Sequence, residues 1–152
     1  MEVLISNRQD KHKIPQKRIK QTARAILDAL DCPDGELSIL LVDDQQIEKI
    51  NIEYLNRKGP TNVIAFPMRE GEFSELTPDL LGDVVISVET AGREADTAAI
   101  SMQKRLDQLL IHGILHLMGY DHEKARKEAT RMEKKSSELM KILDVAADNV
   151  KK

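Results

Sequence analysis

The chain has 152 residues, 41% of them hydrophobic and 32% charged, which suits one domain, since a domain of about 150 residues buries roughly 68–70% of its unfolded surface. No uncharged apolar run approaches the ~20 residues of a membrane span, residues 1–7 are too short and too acidic for a secretory leader, and the single cysteine, Cys32, excludes an internal disulfide framework, so the expectation is a cytoplasmic protein with no membrane partner. The net charge of −3 is unevenly spread: residues 1–30 hold seven Lys/Arg against three Asp/Glu, residues 31–100 five against fifteen, and residues 123–152 nine against six.

Val3-Leu4-Ile5 predicts a short first strand. Pro15 opens a helix with Ile19, Ala23, Ile26, Leu27 and Leu30 at the helical period. Its basic residues, among them Lys17, Arg18, Lys20 and Arg24, form a pattern that is more often a solvated face than an anion site. Cys32 reads as a buried or half-buried small hydrophobe. Residues 37–42, Leu-Ser-Ile-Leu-Leu-Val, predict a central strand covered on both faces. Asp43 or Asp44 caps a second helix with Ile47, Ile50 and Tyr54 on one face. A turn at 56–60 leads to a third strand at 62–66, stopped by Pro67, and the acidic stretch 68–81, with Gly71 and Pro78, reads as a long loop that moves or covers a site.

Residues 82–87 predict a fourth strand and 88–98 a helix weakened at Gly92. Ser101 caps a helix over 102–118 that is apolar almost all round near its end, so it should run through the core. The last helix, 123–146, turns Ala125, Ala129, Met132, Leu139 and Leu143 inward. The order predicts an α+β fold: a mixed four-stranded β-sheet surrounded by about five helices.

The chemistry is concentrated in His112-Gly113-Ile114-Leu115-His116-Leu117-Met118-Gly119-Tyr120-Asp121-His122. An isolated histidine is usually a satisfied core or surface residue. Here His112 and His116, four apart, share one helix face, Gly119 permits a tight left-handed reversal, and His122 can return as a third ligand. An apolar helix burying two imidazoles must satisfy both, and one divalent cation satisfies all three histidines at once. Three nitrogen ligands without a nearby cysteine favour zinc, with nickel or another divalent metal also accommodated. The open fourth position favours catalysis, because a water there would have its pKa lowered towards about 7. His12, between Lys11 and Lys13, is left out of the set because the local charge repels a cation.

The spacing H-x-x-x-H-x-x-G-x-x-H is that of the metzincin peptidases, but Gly113 stands where those enzymes carry the glutamate base, so their mechanism is not available. A dication held by neutral histidines suits a substrate that becomes more negative in the transition state, which leans towards phosphodiesters over peptides. With only two Tyr, two Phe and no Trp, the chain lacks the aromatic platform of base-stacking proteins.

The histidine string, preceded by residues 60–67 (Pro-Thr-Asn-Val-Ile-Ala-Phe-Pro) and 81–87 (Leu-Gly-Asp-Val-Val-Ile-Ser), resembles the YbeY family of bacterial endoribonucleases and rRNA maturation factors over about residues 36–133. The resemblance implies a zinc-dependent, single-strand-specific endoribonuclease acting in 16S rRNA 3′-end maturation and ribosome quality control. Its implied partners are rRNA, the small ribosomal subunit and the assembly factors of that subunit. It also implies that His112, His116 and His122 are the metal ligands and that residues 61–66 line the cleft opposite the metal helix. The chain departs from the family pattern in two places: the family commonly has serine where Ala65 stands, and its arginine aligns with Leu55. Arg57, two residues on, is the candidate phosphate-contacting cation, with an exposed turn arginine as the alternative. Asp121 is the candidate that orients the neighbouring imidazole, against a role in closing the Gly119 turn; Asp83 reads as structural. Two other functions remain open on the residues alone: a non-catalytic, zinc-stabilised ribosome assembly factor contacting RNA through its basic helices, and a metal-dependent hydrolase of peptide or amide bonds.

Overall fold

A computed structural model describes residues 3–68, 79–120 and 126–151. Among them the elements run β1 (Val3–Asn7), α1 (Gln16–Ala29), β2 (Glu36–Val42), α2 (Asp44–Leu55), β3 (Val63–Pro67), β4 (Leu80–Ser87), α3 (Val88–Ala98), α4 (Met102–Leu117) and α5 (Arg126–Lys151). The strands form one mixed sheet in the order β1-β2-β4-β3, with β1 and β4 parallel to β2 and β3 antiparallel to β4. This is the α+β arrangement expected from the element order.

The α4 helix carries the larger core. It touches α1, α3, α5, β3 and β4, and Leu106, Leu110, Ile111, Ile114 and Leu115 are all within 1% of full burial. On the same side of the sheet, α1 contributes Ile19, Ala23, Ile26 and Leu27, and α5 contributes Met132, Leu139 and Leu143. Ala125 lies outside the described residues, and Leu30 falls at the C-cap of α1, half-buried. Among the described residues the opposite face has a small cluster of Val42, Ile47, Ile64 and Val85. Coverage of β2 is therefore unequal: Leu37, Ile39 and Leu41 are buried, while Ser38 and Leu40 are half-buried on the side where, among the described residues, α2 supplies the covering helix.

Several local expectations shift. Asp43, not Asp44, caps α2: its carboxylate accepts from the Gln46 backbone N–H at 2.8 Å, and the Gln46 side chain accepts from the Asp43 N–H at 2.9 Å. Tyr54 does not join the inward face; it is 67% exposed and meets Phe66 edge-on at 5.8 Å, while Asn51, one turn after Ile47, is buried. Pro67 ends β3 from within, which an edge strand tolerates because it owes no hydrogen bond on its outer side. Residues Leu80 and Leu81 belong to β4 rather than to the preceding loop, whose residues 69–78 lie outside the described residues. The α3 helix continues unbroken through Gly92, where the missing side chain lets the His12 ring approach; a Cβ would stand 3.2 Å from it.

Candidate functional site

A cleft of about 600 Å³ opens between α4 on one side and β3 with the α2–β3 loop on the other. The face of α4 turned to it carries His112 and His116, whose rings meet at 4.6 Å between centroids, 72° apart. The i, i+4 spacing therefore does put the two imidazoles side by side. They are half-buried rather than sealed in the core, since the cleft opens over them.

Gly113 explains how α4 comes so near the sheet. A Cβ there would lie 2.7 Å from Cγ1 of Val84 on β4 and 3.4 Å from Val63 on β3. The position that holds a glutamate base in metzincins thus points into packed strand side chains, where no carboxylate fits.

The helix ends in a Schellman turn. Gly119 takes φ +98° and its N–H donates to His116 O at 3.1 Å, while the Tyr120 N–H donates to Leu115 O at 3.0 Å. Arg131 of α5 lies over the Tyr120 ring at 4.8 Å, fastening the chain where it leaves the turn. Asp121 and His122 follow directly and lie outside the described residues.

The opposite wall brings in residues that the sequence reading singled out and others it missed. Arg57 lines the cleft beside Leu55, so the arginine two residues beyond the aligned position borders the same space as the histidines. Its loop is held from below: Asn51 donates its Nδ2 to Gly59 O at 3.0 Å, and Asn51 O accepts from the Arg57 N–H at 3.2 Å. A polar residue one turn after Ile47 was the available sequence signal for this anchor. Lys58, adjacent to Arg57, supplies a second cation. Ala65 also lines the cleft, so the family's serine hydroxyl is absent from that wall. Asp83 is exposed on β4 and does not line this cleft.

Asn62 lines the cleft as well. Its Nδ2 donates to both carboxylate oxygens of Glu94 at 3.2 and 3.3 Å, and Glu94 is held by Arg105 Nε and Nη2 at 3.2 and 3.0 Å. These three residues come from a loop, α3 and α4, and no sequence periodicity links them.

The family model for endoribonuclease YbeY matches residues 4–144. The chain belongs to the endoribonuclease YbeY family. It is 49% identical over 95% of its length to endoribonuclease YbeY of Geobacter sulfurreducens and 50% identical over 95% to that of Geobacter metallireducens, covering 97% of each relative. The Aquifex aeolicus member is 43% identical over 85% of this chain and 81% of its own length. The fold also matches the solution structure of a Thermotoga maritima protein, with a TM-score of 0.67, 23% identity, and coverage of 97% and 93% of the two chains.

Proposed function

We propose that this chain is a zinc-dependent endoribonuclease that cuts single-stranded RNA in the cytoplasm. Its role is in 16S rRNA 3′-end maturation and ribosome quality control, on the small ribosomal subunit and beside the assembly factors of that subunit. The observation that carries this reading is that one cleft gathers His112 and His116 from α4 and Arg57 and Lys58 from the opposite loop. Imidazoles suited to a metal thus share one cleft with the cations a phosphodiester needs.

The residues fit a divalent metal. Two imidazoles sit edge to face on one helix face at the rim of an open cleft, and nitrogen donors suit zinc, with nickel or another divalent ion as substitutes. His112, His116 and His122 would hold it, and Asp121 would orient the His122 ring from beside it. Bound there, the metal supplies Lewis-acid polarisation of a phosphoryl oxygen and an activated water. Arg57 and Lys58 then hold the phosphate and offset charge that grows in the transition state. Gly113 leaves no room for a peptidase base, which favours phosphodiester over amide cleavage.

The test is cleavage of a single-stranded RNA by protein purified without added metal, comparing wild type with His116→Ala and measuring metal content by mass spectrometry. Expected are about one zinc per chain in the wild type, cleavage abolished by chelator and restored by zinc, and loss of both metal and activity in the variant. Undiminished cleavage by metal-free His116→Ala protein would overturn the reading. A folded, inactive variant that still supports rRNA processing in cells would favour a non-catalytic assembly role.

A further inference from the structure

We infer that Glu94, clamped by Arg105, is a positioning residue that fixes the Asn62 amide so that its carbonyl oxygen serves as an acceptor for the ribose 2′-hydroxyl of a bound RNA strand. This rests on the RNA-cleaving reading of the cleft. A carboxylate only accepts hydrogen bonds, so the Asn62 Nδ2 has to face Glu94, as the paired contacts at 3.2 and 3.3 Å place it. The amide cannot turn over without setting oxygen against oxygen. Arg105 keeps Glu94 from swinging away by holding Oε1 with two nitrogens, and Gln108 accepts from Arg105 Nη1 at 2.7 Å. The Asn62 backbone is pinned too, its carbonyl accepting from the Ser87 N–H at 3.0 Å.

Both Glu94 oxygens share one Nδ2–H, so the Asn62 side chain keeps its Oδ1 acceptor, turned away from Glu94, with one further N–H beside it. A phosphodiester has no proton to give that oxygen, and Arg57 and Lys58 already offer the donors a phosphate needs. The donor that every nucleotide of an RNA backbone carries, whatever its base, is the 2′-hydroxyl, which is also the group that separates RNA from DNA. Asn62 thus reads the sugar while the cations of the loop hold the phosphate.

The experiment measures binding of the full-length protein, as purified, to one oligonucleotide sequence made as RNA and as 2′-fluoro RNA. The fluoro sugar keeps the RNA pucker and cannot donate. Fluorescence anisotropy is read at low temperature, with gels confirming that the RNA stays intact. The wild type should bind RNA about three- to tenfold more tightly, the size of one net hydrogen bond. Glu94→Gln, which lets the amide turn over, should bring that ratio towards one by weakening RNA binding alone, leaving 2′-fluoro affinity and metal content unchanged. Asn62→Ala should do the same, and serves if Glu94→Gln does not fold. Equal wild-type affinities for the two strands, or equal weakening of both in the variants, would overturn the inference while leaving the ribonuclease reading intact. Failure of the wild type to bind either strand would instead remove the parent reading, and this one with it.

Discussion

Val84 on β4 occupies the space that a side chain at Gly113 would need: a Cβ at position 113 would stand 2.7 Å from Val84 Cγ1 and 3.2 Å from Cγ2. The distance between α4, which carries His112 and His116, and the sheet is thereby set by this contact, because both residues are buried. Gly113→Ala should cost about 1–3 kcal/mol in denaturant unfolding, as overpacking of a tight core does. Combined with Val84→Ala, which vacates the space, the loss should be smaller than the sum of the two single losses. Strict additivity would mean that the two residues do not compete for the same volume.

Arg57 and Lys58 share the cleft with the histidines but hold no part of the core. Arg57→Ala should lower the rate of RNA cleavage by at least about tenfold while leaving metal content and melting temperature unchanged, because it removes charge stabilisation rather than structure. Lys58→Ala should act chiefly on affinity and flatten its dependence on salt. Titrating RNA binding from about 50 to 200 mM salt separates the two.

Asp44 joins the start of α2 to α3. Burial raises the pKa of its carboxyl, but hydrogen bonds from the Ser87 and Thr90 hydroxyls, both at 2.6 Å, and from Arg93 outweigh that and leave it below the ordinary 3.8. A lowered folded-state value means that the stabilisation is fully present above 3.8 and is lost as pH falls through the folded value. The Arg93 side chain is 60% exposed, so the hydroxyl contacts carry most of it. Asp44→Asn should cost about 1–2 kcal/mol at pH 7, and the gap to wild type should narrow as both are unfolded at progressively lower pH. A gap independent of pH would refute the assignment.

Asp107 behaves in the opposite sense. It is 8% exposed on α4, and burial pushes its pKa up despite a hydrogen bond from Gln103 Nε2 at 2.8 Å and help from Arg18 and Thr22 of α1, while Asp144 adds to the rise. Below the ordinary 3.8 both states are protonated and the residue contributes nothing; as pH rises, the unfolded chain ionises first and stability declines until the raised folded value is passed. Asp107→Asn removes that decline. Relative to wild type, its stability should therefore rise between pH 3 and pH 7, read as the difference between the two unfolding curves; a difference that does not change with pH would refute the assignment.

The elements, the sheet's strand count and the pairing of His112 with His116 were legible along the chain. Each of these depends on a pattern along one segment: near-continuous aliphatic runs for β2 and β4, a four-residue interval on α4, and a glycine where Gly119 has to take positive φ. Family membership was legible for the same reason, since its motifs are local strings. Tertiary structure decided what depends on which segments meet. Tyr54 and Asn51 lie three residues apart on α2, and the helical period alone favoured the aromatic as the inward residue. The loop that Asn51 anchors is what put the amide inside and the ring outside. Arg57 belongs to the cleft because that loop folds back towards α4. Asn62, Glu94 and Arg105 came together only when the loop before β3 packed with α3 and α4, because hydrogen bonds between distant segments leave no period in the sequence.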